Sequence, residues 1–106
     1  MRQQGKLAEA IVHYERAVQM KPEYGEAHND WGLALAERGQ WVKAIGHYER
    51  ALELNPELGG TEYLLGEALA VQGEWAEANS HFQRALNLAA LQGNAVLEQA
   101  IRRRLK

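Results

Sequence analysis

The chain has 106 residues, 46% hydrophobic and 25% charged, with a formal charge of −2, which is the balance of a folded globular protein and not of a disordered one. No global basicity points to nucleic acid, and no apolar run approaches the roughly 18 residues that cross a bilayer. The absence of cysteine excludes disulfides, thiolate zinc sites, iron–sulfur clusters and a cysteine nucleophile together, and leaves the redox compartment open.

In chain order, Met1-Arg2-Gln3-Gln4 lead into an amphipathic stretch and not an apolar signal core. A helix is expected after Gly5, over about 6–20, with Ala10, Ile11, Tyr14, Ala17 and Val18 as its apolar positions. Pro22 ends it, and a second stripe runs through Trp31, Leu33, Ala34, Leu35 and Ala36. Gly39 sits where a left-handed turn would close that helix. Trp41, Ala44, Ile45, Tyr48, Ala51 and Leu52 then recur at three- and four-residue intervals, until Asn55-Pro56 forces the chain to turn. The same succession follows Pro56, but with Ala90 in the next proline's place, so the helix there is expected to run on to about Leu91. Gly93 introduces a last helix over about 94–105, with Val96, Leu97, Ala100 and Ile101 on one side and Glu98, Gln99, Arg102 and Arg103 on the other. No segment has the period of a strand.

These elements repeat. Pro22 and Pro56 lie 34 residues apart, and the same offset relates His13, His47 and His81, Ala10, Ala44 and Ala78, Arg16, Arg50 and Arg84, and Gly5, Gly39 and Gly73. Residues 5–22 and 39–56 share nine identities in eighteen positions without a gap. A unit of this length is one helix–turn–helix that buries its apolar face against its neighbours.

The residues His28, Trp31, Gly32, Leu35, Ala44, Tyr48 and Pro56, with Glu62, Leu65, Gly66, Leu69, Ala78, Phe82 and Ala90 one repeat later, resemble the tetratricopeptide repeat. The departures are His28 and Glu62, where the pattern has its first tryptophan, and Ala90. The resemblance implies an all-α fold, a right-handed superhelix (solenoid) forming one domain over 1–106. Within it, 1–24 would be a partial first repeat with residues 1–4 the last turn of an earlier helix, 25–58 the second, 59–92 the third and 93–106 a capping helix. Gly32 and Gly66 would face Ala44 and Ala78 at close approach, while Tyr48 and Phe82 would wedge between repeats. Trp41 and Trp75 are expected to be packing residues.

In the family the first helix of each repeat lines a concave groove for a peptide or partner helix. That implies a partner-binding groove of Glu26, Asn29, Asp30, Leu33 and Glu37, continued by Tyr63, Leu64, Glu67, Ala70 and Val71, with Asn94 and Leu97 at its far end. No Lys or Arg stands at these places in either full repeat, so a clamp for a partner's carboxylate is not expected, and the acids favour a basic or apolar segment. Ala10, Ile11, Tyr14 and Val18 form the second candidate surface, an edge exposed either because the chain is part of a longer array or because another copy covers it. The histidines at 13, 47 and 81 are expected on the convex face, with His28 alone and no metal bound. No catalytic motif or cofactor fingerprint is present. The expectation is a non-catalytic scaffold for a protein partner, without nucleic acid, membrane or cofactor, in a soluble and cytoplasmic setting. The alternatives are a self-assembly module or a regulatory segment of a larger protein.

Overall fold

The computed structural model describes residues 2–105, and side chains from Gly5 onward. The described residues form six α-helices and no strand, divided between two compact units, Met1–Pro56 and Glu57–Lys106.

In the first unit, α1 (Arg2–Met20) packs on α2 (Gly25–Glu37), and α2 packs on α3 (Trp41–Leu54). Its core is Ala27, Ala34, Leu35, Ala44, Tyr48 and Ala51, while Leu33, expected in the apolar stripe of α2, is exposed. In the second unit, α4 (Gly59–Val71) packs on α5 (Trp75–Leu91), and α6 (Ala95–Arg104) closes against α5. Its core is Leu65, Ala68, Leu69, Ala78, Phe82, Ala85, Ala89 and Ile101.

Three turns share one construction. Gly39, Gly73 and Gly93 have φ of 77°, 81° and 67°, the left-handed region that favours glycine. At the first of them the Gly39 N–H donates to the Ala36 carbonyl and the Gln40 N–H to that of Leu35, each at 2.9 Å, which satisfies two of the carbonyls a helix end leaves open. The α3 end differs: the Asn55 N–H donates to the Ala51 carbonyl at 2.8 Å, and Pro56 then turns the chain. With Ala90 in place of a third proline, α5 continues to Leu91 as expected.

Three details depart from the sequence-based expectation. The helix expected from residue 6 begins at Arg2, and Gly5 lies inside it without a positive φ. Tyr48 and Phe82 are both fully buried, and each ring lies on the glycine of its own helix pair. A Cβ on Gly32 would meet Tyr48 Cε1 at 2.7 Å and the Ala44 carbonyl oxygen at 3.2 Å, and one on Gly66 would meet Phe82 Cε1 at 2.6 Å. Val96 lies on the open side of α6, 84% exposed, because Ile101 is the residue turned into the core. Trp75, expected to pack, begins α5 with 60% of its surface exposed.

Candidate functional site

On α2, Glu26, Asp30 and Glu37 are exposed around Leu33, itself 36% exposed, while Asn29 is half-buried and its amide donates to the Asp30 carboxylate at 3.4 Å. At about 100° per residue these positions share one side of α2. The helix is thus lined with carboxylates flanking one apolar side chain, an arrangement that attracts cations and gives an aliphatic stem a surface to lie on.

On α4, Tyr63, Leu64 and Glu67 are half-buried and Val71 is exposed. The Tyr63 ring is not free: it is tilted against Phe82 with centroids 5.8 Å apart. Nor is Glu67, whose carboxylate pairs with the Arg104 guanidinium from α6. Arg104 is held even more firmly in its charged form than an ordinary arginine, by hydrogen bonding to Tyr63 first and to Glu67 next. The absence of cations from the two full repeats therefore does not describe this face, because the last helix supplies one. The signal was present in the Arg102-Arg103-Arg104 run, but sequence alone does not say which of the three turns back over α4. Asn94, expected at the far end, instead caps α6 by accepting the Leu97 N–H at 3.1 Å, and Leu97 is half-buried.

Of the α1 edge, Ala10, Ile11, Tyr14 and Val18 are all half-buried, and none reaches the full burial of the α2 and α3 core.

Two further clusters join residues that the sequence reading kept apart. His28 is not alone: its Nδ1 lies 3.2 Å from Nδ1 of His47, with ring planes 24° apart. The centroid separation of 5.5 Å equals that distance plus a ring radius at each end, so the nitrogens point at one another and one proton lies between them. A zinc about 2 Å from each nitrogen needs the two lone pairs to converge at an angle, not along a line. Trp31 stacks on His47 with centroids 3.9 Å apart. Burial pushes both imidazoles below the ordinary histidine range, aided by the Arg50 charge for His28 and by His28 for His47.

At the same two places one repeat later, Nδ1 of His81 lies 2.6 Å from the buried carboxylate of Glu62, to which it donates. A clue was available: His28 and Glu62 both depart from the pattern where it has its first tryptophan, and each stands 19 residues before a histidine of the periodic series. Among the described residues no group of three metal-ligating side chains is placed around one point, and no helix is long and apolar enough to cross a membrane.

The structure is similar to that of SycD, the type III secretion translocator chaperone of Yersinia enterocolitica, with a TM-score of 0.91 at 22% identity over 98% of this chain and 72% of that one. It is also similar to PcrH in complex with the chaperone binding region of PopD, with a TM-score of 0.90 at 19% identity over 95% of this chain and 77% of that one. MamA superposes with a TM-score of 0.79 at 26% identity, over 83% of this chain, which spans about half (52%) of MamA. No curated protein sequence matches the chain. These likenesses establish the all-α tetratricopeptide fold. A family model described as the tetratricopeptide repeat matches residues 2–58, more than half of the 106, and the chain belongs to that family.

Proposed function

We propose that the chain is a non-catalytic protein-interaction module whose α2 face, Glu26, Asn29, Asp30, Leu33 and Glu37, binds a basic, partly apolar segment of a partner protein. The observation that carries this reading is Arg104 on Tyr63 and Glu67, where the chain's own guanidinium is received by a carboxylate and a tyrosine on the equivalent helix. The α2 face offers three exposed carboxylates and no cation of its own among the five residues. A partner's arginine or lysine would complete it, with its stem along Leu33. On α4, Tyr63, Leu64, Glu67 and Val71 form the corresponding face, which a partner would share with Arg104. The PcrH complex, in which a protein of this fold holds a region of PopD, supports a polypeptide as the kind of ligand.

Calorimetric titration with a synthetic amphipathic peptide bearing lysine and arginine beside leucine tests the reading. Binding should weaken roughly tenfold in Glu26→Gln/Asp30→Asn/Glu37→Gln and fall steeply with added salt. Binding indifferent to salt and to these substitutions would contradict it.

A second reading is supported by the half-buried Ala10, Ile11, Tyr14 and Val18, a face on which another copy could close. Light scattering over a concentration series separates the two, since a monomer at high concentration removes self-association.

A further inference from the structure

The side of α2 turned away from Glu26, Leu33 and Glu37 opens into a cleft of about 710 Å³ within the first unit. Its apolar lining is Ile11 from α1 and Trp31 and Leu35 from α2, with His28 and His47 beside Trp31. Arg38, Lys43 and Arg50 also line it, against a single carboxylate, that of Glu15 on α1. Among the described residues neither Arg38 nor Lys43 enters an ion pair, and Arg50 reaches only the exposed Glu53, at 3.4 Å. Three cations against one acid is unexpected in a chain whose formal charge is −2.

The repeat does not demand this charge. One repeat later, Glu62, Gln72 and Glu77 replace His28, Arg38 and Lys43, and only Arg50 keeps its charge, as Arg84. The cleft is also kept open at the exposed Gly46, where a Cβ would meet nothing within 4 Å. A glycine inside a helix costs about 1 kcal/mol relative to alanine, and packing gives no reason for this one.

We propose that this cleft binds an acidic peptide segment carrying an aromatic side chain, with the ring seated against Ile11, Trp31 and Leu35 and the flanking carboxylates on Arg38, Lys43 and Arg50. An aromatic anchor in an apolar pocket rimmed by charge is the common form of a binding hot spot. Guanidinium–carboxylate pairs supply its polarity. The ligand's charge is opposite to that of the segment proposed for the other side of α2, so the two sites select different partners.

The test is a titration of the whole chain with the synthetic peptide Glu-Asp-Phe-Glu-Asp, beside versions with alanine for phenylalanine and with lysines for the acids. The acidic aromatic peptide should bind, and each altered peptide should bind at least about tenfold more weakly. Arg38→Gln/Lys43→Gln should weaken binding by a similar factor. Gly46→Leu should abolish it while melting no lower than the wild type, because that side chain enters open space. Failure of the acidic peptide to bind, equal binding by either altered peptide, or full binding by Gly46→Leu would overturn the proposal. So would a dimer in the wild type that Gly46→Leu dissolves, since the occupant would then be a second copy.

Discussion

Positions 28 and 62 carry a histidine and a glutamate where the repeat pattern has tryptophan, and both side chains are buried. A polar group there is tolerable only with a partner, and a histidine 19 residues on supplies it in each case. The first of these pairs is sensitive to acid. In the first unit the paired imidazoles are held below the ordinary histidine range, so on acidification the unfolded chain takes up protons before the folded one. Stability from this pair is therefore complete above about pH 6.5 and is lost as the pH falls below it. Thermal unfolding followed by circular dichroism should show a lower midpoint at about pH 5.5 than at pH 7.5, and His47→Gln should shrink the difference. A midpoint unmoved by acid in the wild type would show that the pair is not buried in its neutral form.

At the scale of elements, the packing of α4 on α5 rests on the absence of a side chain at Gly66. The Phe82 ring is fully buried and cannot swing aside, so Gly66→Ala should cost about 1–3 kcal/mol despite alanine's better helix propensity. Urea unfolding measures this, and an unchanged or raised midpoint would contradict the close approach. Much at this scale was legible in the sequence. The helix end at Gly39, and by the 34-residue offset that at Gly73, followed from the left-handed turn that glycine permits, and the extent of α5 followed from Ala90. What escaped were contacts that join residues across helices. Periodicity shows which side of a helix is apolar, but not which side chain on the facing helix it meets. The ring of Tyr48 on Gly32, the His28–His47 pair and the return of Arg104 to α4 were hidden for that reason. The start of α1 was missed differently, because the repeat offset assigned Gly5 the role of Gly39 where the helix continues.

Over the whole molecule, the formal charge of −2 conceals an uneven distribution. One side of α2 exposes Glu26, Asp30 and Glu37, and the cleft on its other side gathers Arg38, Lys43 and Arg50. Family membership says that the chain is built of tetratricopeptide repeats, but a fold of this kind serves many partners. Specificity has to come from these side chains, and for that reason the candidate groove was legible only as a set of positions. On the proposed function the acidic side of α2 receives a basic segment. The most direct measurement is amide chemical-shift mapping during titration with the basic amphipathic peptide. Saturable shifts centred on Glu26, Asn29, Asp30, Leu33 and Glu37 are expected. Shifts confined to the Trp31–Arg38 side, or no saturable shift at all, would contradict it.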